Sequence, residues 1–425
     1  MRNKLALLLV LVVLAPAACA GSSAVTLARA DVPRASADPV LATNAASAIN
    51  AFGIDLYLRI ATGDGNVVAS PASIALALGM ARAGARGLTA EQMDAVLHDL
   101  ATDAHAGWLN ALDAALATRT GSFKDTSGKA QPVTLRIANS LFSQRGMKLV
   151  DAYLAALASR YGAGLRLVDY KADSEAARKA INAWVSDQTE GRIPELLAAG
   201  AITPEVRLTL VNTIYLKAAW LTPFSETGTK PGPFTRLDGS TVDVPMMRGG
   251  GADGGSPYAS GDGWQAVELP YVGDSLALTV IVPDDLKAFE QGLTVEKLAA
   301  ITGGLTAHSV NLTFPKFGIE TKVDLALTLA AMGMPAAFDP GVADFSGITT
   351  EEQLFIFAVI HQANIDVDEK GTTAAAATAV VMGRTSLPGE TVTLTVDHPF
   401  LFALRDVPTG AILFLGRVTD PSVKE

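Results

Sequence analysis
The chain has 425 residues, 49% hydrophobic and 18% charged, which is enough apolar material for a large core and excludes a disordered polymer. Its net charge of −10, from 33 basic and 43 acidic residues with no basic block, gives no footing for nucleic acid or an acidic polysaccharide. The length admits two or three domains, although some folds fill it as one unit.

Residues 1–20 have the pattern of a signal peptide. Arg2 and Lys4 form a basic start, Leu5 to Leu14 is an apolar run too short for a spanning helix, and small residues follow. Ala15-Pro16-Ala17 or Ala18-Cys19-Ala20 fits an ordinary cleavage site. Ala17-Ala18-Cys19 instead resembles the end of a bacterial lipobox, with Cys19 as the lipidated residue, although Pro16 stands where that motif usually has Leu. Both readings export the protein, and any membrane attachment is through that lipid anchor. Cys19 is the only cysteine, so no intrachain disulfide can form. Residues 21–43, rich in Ala, Ser and Thr with Pro33 and Pro39, read as a flexible linker, leaving 44–425 as the folded domain.

Ala45 to Ile60 has helical apolar spacing. Ser70-Pro71 then opens a helix, with Ser as N-cap and Pro in the first turn, followed by Ile74, Leu76, Leu78 and Met80. Thr89-Ala90-Glu91-Gln92 restarts helix with a capping-box pattern. Helical spacing dominates to about residue 200, broken by a strand at 133–142. Beyond 205 the pattern turns to strands: 207–216, 242–247, 265–270, 276–282, 310–314, 355–367, 391–396, 400–405 and 411–418. Arg248 to Gly263 reads as a Gly-rich loop that lacks the strand-before, helix-after setting of a phosphate cradle. Helices first and strands later point to an α+β protein dominated by antiparallel sheets.

The segment from Asp366 to Val381 stands apart. It begins as an alternating strand, with Ala363, Ile365 and Val367 apolar and Asn364, Asp366 and Asp368 polar. From Gly371 to Ala379 no side chain exceeds Thr in size and none is charged. Such a stretch can enter a packed sheet with no charge to desolvate and no bulk to crowd its neighbours. In an Ala-rich chain the same composition also suits an ordinary loop.

Enzyme chemistry finds little to stand on. His98, His105, His308, His361 and His398 lack metal-ligand spacing to one another or to Cys19, so neither a metal nor another cofactor is implied. No G-x-S-x-G or H-E-x-x-H occurs. Ser70, His361 and Asp366 make a conceivable triad, but Ser70 is accounted for as an N-cap and His361 sits in an apolar strand, where a satisfied core histidine is expected.

Several segments, in order, resemble the serpin family of protease inhibitors, from about Asn44 to Pro421. They are Asn66-Val67-Val68-Ala69-Ser70-Pro71, Gly84 to Thr89, Asn182-Ala183-Trp184-Val185, Leu210-Val211-Asn212-Thr213 through Trp220, and Val244-Pro245-Met246-Met247. Phe314-Pro315-Lys316-Phe317, Ala343 to Ile348, His398-Pro399-Phe400 and Leu415-Gly416-Arg417-Val418 complete the series. The resemblance implies one α+β domain with three β-sheets, eight to nine helices, and a reactive-centre loop exposed between Glu369 and about Leu394. It also implies suicide inhibition of a serine protease: loop cleavage, a covalent acyl-enzyme, and insertion of the freed loop into the central sheet.

On that alignment Glu369, Gly371, Thr372, Ala374, Ala376 and Thr378 form the hinge. Thr372, Ala374, Ala376, Thr378 and Val380 would share the inward face of an inserted strand, and Gly371 would supply the fold-over. Glu369 and Lys316 form an ion pair expected to be mostly exposed and worth about 0–1 kcal/mol. Ser70, Asn212 and His361 fall in the shutter beneath the sheet, and Trp220 near the loop's entry point. The attacked bond is Arg384–Thr385 if the hinge is one residue shorter than usual, which suits a trypsin-like enzyme. At the usual length it is Thr385–Ser386, which suits an elastase- or subtilisin-like enzyme, with Arg384 merely solvated. The alternatives are a cysteine-protease inhibitor, a serpin-like plain substrate, or an exported binding protein of the same fold. A monomer is expected in each case.

Overall fold
The computed structural model of the protein describes residues 25–105, 107–249, 256–372 and 391–423. The signal-peptide and Cys19 assignments lie outside these residues. Among the described residues there are nine α-helices and three sheets of eight, seven and four strands, the α+β architecture expected.

The large sheet runs, in spatial order, Thr26–Ala28, Leu165–Val168, Ala130–Gln144, Leu208–Ala219, Gly371–Thr372, Ala358–Val367 and Phe317–Asp324, with Gly121–Lys124 hairpinned onto Ala130–Gln144. Leu208–Ala219 is covered on both faces, and every residue but Lys217 is buried, which is why Val211 and Tyr215 on one face are matched by Leu208, Leu210, Ile214 and Leu216 on the other. One cover is the helix Ser174–Gln188, whose Ala177, Ile181 and Val185 pack with Phe142, Val168 and Val211. On the opposite side lies the helix Pro71–Arg82, buried from Pro71 through Ala81 and sandwiched between the large sheet and the strand Ile412–Val418 of the second. Ser70 caps it, accepting from the Ser73 amide at 3.3 Å, with Pro71 in the first turn. The first helix, Pro39–Ile60, crosses so near that a Cβ on Gly53 would sit 2.6 Å from the Pro71 ring. The second sheet orders Thr306–His308, Ser256–Gly261, Trp264–Pro270, Leu276–Pro283, Phe400–Asp406, Ile412–Val418 and Val67–Ala69. The third orders Val392–Thr395, Val310–Pro315, Thr241–Arg248 and Lys230–Thr235.

Two expectations are corrected, and one strand joins those expected. The described part of the 21–43 segment is no tether. Thr26–Ala28 adds an antiparallel edge strand to Leu165–Val168, Arg34 pairs with Asp113 at 2.6 Å, and the first helix starts at Pro39 under an Asp38 cap. Backbone pairing and that capping bond fix a composition that looks flexible in isolation. Within the presumed loop 248–263, Arg248 ends one strand and Ser256–Gly261 forms another against Trp264–Val267. Finally, Phe317–Asp324 borders Ala358–Val367 over eight paired residues. Its period-2 alternation of Phe317, Ile319, Thr321 and Val323 is plain in the sequence once the neighbouring strand is known.

Candidate functional site
The strand Ala358–Val367 ends in a tight turn in which the Asp368 carboxylate accepts from the amides of Lys370 (2.8 Å) and Gly371 (3.2 Å), an Asx turn. The chain then doubles back, and Gly371–Thr372 lies as a short strand between Leu208–Ala219 and Ala358–Val367, with Gly371 opposite Ala219 and Thr372 opposite both Ala218 and Val367. Four successive carbonyls of this turn are taken. Those of Asp368, Glu369 and Lys370 accept from Trp220 Nε1 (2.8 Å), the Phe224 amide (2.9 Å) and the Trp220 amide (2.9 Å), and that of Gly371 accepts from the Asp368 amide (3.0 Å). Gly371 has φ +155°, and a Cβ there would lie 2.0 Å from the Ala218 carbonyl oxygen, so no other residue fits the position as built. Thr372 is 1% exposed, and its hydroxyl hydrogen-bonds that of Tyr271, whose ring stacks on Trp220 at 4.5 Å. Burial pushes the Tyr271 phenol well above its usual range, so it stays a neutral hydrogen-bonding group.

Glu369 and Lys316 do meet, at 2.8 Å, but the expectation of a mostly exposed pair is wrong on one side: the Glu369 side chain is only 10% exposed. It accepts a further bond from the Thr229 hydroxyl at 2.7 Å. Burial alone would raise the Glu369 carboxyl, but the bonds from Lys316 and Thr229 outweigh it and hold it below the usual carboxylate range. The described residues narrow the span expected for the loop at both ends: Glu369, Gly371 and Thr372 are buried with Lys370 half-buried, and Val392–Thr395 is a strand beside Val310–Pro315.

Beneath the sheet the predicted shutter residues converge. The Ser70 amide donates to His361 Nε2 at 3.1 Å, so Nδ1 carries the proton and donates to Asn212 Oδ1 at 2.6 Å. Complete burial pushes the imidazole down to about 3, keeping it neutral. Two partners escaped the sequence reading. Ser73 donates to Asn139 Oδ1 at 3.0 Å and, more weakly, to the Thr213 carbonyl, and Asn139 pairs in register with Asn212 across the adjoining strands. An Asn in the middle of the predicted strand 133–142 was the available signal.

The two strands flanking the hinge also meet each other lower down, where a parallel ladder runs from Ala358–Thr209 to Gln362–Thr213. Between that ladder and Thr372 the sheet forks, with four residues free on each side, 214–217 and 363–366. Ile214, Leu216, Ala363 and Ile365 are buried toward the core. On the other face the turn after Ser174–Gln188 straddles the fork: Glu190 takes Tyr215 and Arg136, and Arg192 pairs with Asp366. Among the described residues no group of three His, Cys, Asp or Glu side chains could hold a metal. Ala374, Ala376, Thr378, Arg384, Thr385 and Ser386 lie outside the described residues.

Known proteins give this geometry a family. The serpin (serine protease inhibitor) family model matches residues 47–421. A leukocyte elastase inhibitor from Bos taurus is 38% identical over 385 residues, covering 87% of this chain and 97% of its own length. An uncharacterized serpin-like protein from Thermococcus kodakarensis is also 38% identical, over 88% and 85%. The structure of tengpin, a thermophilic serpin, in its native state superposes with a TM-score of 0.79 at 26% identity, covering 92% of this chain and 97% of that one. The chain belongs to the serpin family.

Proposed function
We propose that this protein inhibits serine proteases as a suicide substrate: a protease cleaves within 373–390, is held as an acyl-enzyme, and is trapped when the freed segment enters the fork. The observation that carries this reading is the position of Gly371–Thr372, already a strand between the two that must part. Continuing its register would set Ala374 and Ala376 beside Leu216, Ile365, Ile214 and Ala363, where small uncharged side chains suit a filled core. Past those, the ladder from Ala358 to Gln362 has to unzip from Thr209–Thr213, and the Ser70–His361–Asn212 cluster lies at that seam. On this reading the chain is a binding partner of the protease and performs no turnover chemistry of its own.

Arg384–Thr385 is the preferred reactive bond, since an Arg following Gly383 suits a trypsin-like specificity pocket. The relatives named for elastase inhibition favour keeping a second reading, Thr385–Ser386 with an elastase-like enzyme. Incubation with both enzyme types, a denaturing gel and sequencing of the released C-terminal peptide tests the proposal. An SDS-stable complex supports it, and clean cleavage with no complex leaves a plain substrate. The same logic extends to export through residues 1–20, with lipid on Cys19, which the mass of the mature N-terminus checks. The working unit is taken as a monomer that engages one protease.

A further inference from the structure
Away from the hinge, a cavity of about 370 Å³ opens at the edge of the large sheet, between the helix Ser174–Gln188 and the N-terminal segment. Its apolar wall is Leu27, Leu76, Met80, Ile137, Ala138 and Trp184, contributed by four separate elements, and Asn139, Ser140, Tyr161 and Gln188 add polar groups between them. Leu27 is 50% exposed, an apolar side chain left uncovered on the wall of a cleft. Three arginines, Arg29, Arg34 and Arg166, line the same space, against one carboxylate, Asp113. Arg34 already pairs with Asp113 at 2.6 Å and with Asn110 at 2.7 Å, so that acid is spent. Arg29 and Arg166 have no acidic partner among the described residues. Arg166 is half-buried with its guanidinium 5.2 Å from the Trp184 ring centre, a contact that orients the cation and leaves its N–H donors unclaimed. Burial lowers its affinity for a proton, the mark of a cation that lacks compensation.

A cleft of this size, part apolar wall and part polar, with two uncompensated guanidinium groups at its rim, has a definite ligand chemistry. A bare inorganic anion would satisfy the arginines and leave the apolar walls wet, whereas a neutral lipid would leave the cations unpaired. A carboxylate on an apolar body meets both demands, because the guanidinium fork matches a carboxylate through two parallel hydrogen bonds. We propose that this cavity is a binding site for a small amphiphilic carboxylate, with the head group on Arg166 and Arg29 and the apolar body against Leu27, Ile137 and Trp184. Asn139 also lines the cavity and accepts from Ser73 beneath the sheet, so the occupant would touch a member of the shutter. The site stands whether or not the protein inhibits a protease.

Isothermal titration of the full chain with sodium octanoate tests it, with 1-octanol as the neutral counterpart and the variants Arg166→Gln and Arg29→Gln. The expected result is saturable binding at one site, weakened about tenfold or more by Arg166→Gln, as loss of a charge-assisted pair implies, and absent or at least about tenfold weaker for octanol. Arg29 is exposed and without a described partner, so Arg29→Gln reads the head-group contact even if the Arg166 variant misfolds. No saturable octanoate binding, equal affinity for octanol, or affinity unchanged in a folded Arg166 or Arg29 variant would each overturn the proposal.

Discussion
The register of Thr372 makes a sharp prediction about where an added charge is tolerated along the hinge. Thr372 faces the core with Ala218 and Val367, so the residues two and four further on should face it as well, while 373 and 375 should face Asp366, Lys217 and Tyr215. Ala374→Arg would place a guanidinium between Leu216 and Ile365, both buried and offering no acceptor. An unpaired buried charge costs on the order of 3–5 kcal/mol, which slows insertion by roughly two to three and a half powers of ten if the cost is felt in the transition state. Hydrolysis of the acyl-enzyme is untouched, so the protein should change from inhibitor to substrate. Ala375→Arg puts the same charge on the face carrying Asp366 and Glu190, at little cost. The assay is the molar ratio of inhibitor to protease required for complete inhibition, read beside the fraction of SDS-stable complex. If the 374 and 375 variants lose complex formation equally, or the 374 variant keeps it, the register argument is refuted.

Other expectations follow from the same geometry. Gly371→Ala cannot keep Gly371–Thr372 in the sheet and should release the turn, at a loss of roughly 1–3 kcal/mol for the Asp368 amide bond to the Gly371 carbonyl and the bond between the Tyr271 and Thr372 hydroxyls; amide exchange at Gly371 and Thr372 should rise, and unchanged exchange would count against the strand. His361 is neutral when folded down to about 3 but takes a proton near 6.5 once unfolded. The unfolded chain therefore binds more protons between those values, and stability falls as pH drops from about 6.5 toward about 3, by up to about tenfold in the folding equilibrium per pH unit. His361→Gln should flatten that slope in chemical-denaturation curves, and an unaltered slope would assign it to other groups. Amides in the ladder Thr209–Thr213 should exchange slowly in the intact protein and stay protected after loop cleavage, because the entering strand replaces one partner with another; lasting exposure after cleavage would mean that the sheet opens without being filled.

Much of the central sheet was legible because its strands carry their own signal. Leu208–Ala219 announces a strand over most of its length, and Ser70-Pro71 announces a capped helix whatever surrounds it. Thr26–Ala28 and Gly371–Thr372 are strands only because a neighbouring edge or gap supplies partners, and two or three residues carry no period of their own. The shutter residues could be named, yet Asn139 and Ser73 enter it through contacts between distant segments that spacing does not encode. Tyr271 and Thr229 were invisible for the same reason, since each sits just past an element and acts only on the folded turn. The exposure of the Lys316–Glu369 pair was misjudged because the doubling back at Gly371 covers Glu369.

The central claim is that the fork between Leu208–Ala219 and Ala358–Val367 receives the cleaved loop. Cutting the native protein in 373–390 with a trypsin-like or elastase-like enzyme, then comparing thermal unfolding of cleaved and intact chains, tests it directly. Insertion should raise the midpoint by at least about 10 °C, equivalent to roughly 8 kcal/mol at this chain length, while the two fragments remain associated. A cleaved protein that melts where the intact one does would contradict the account.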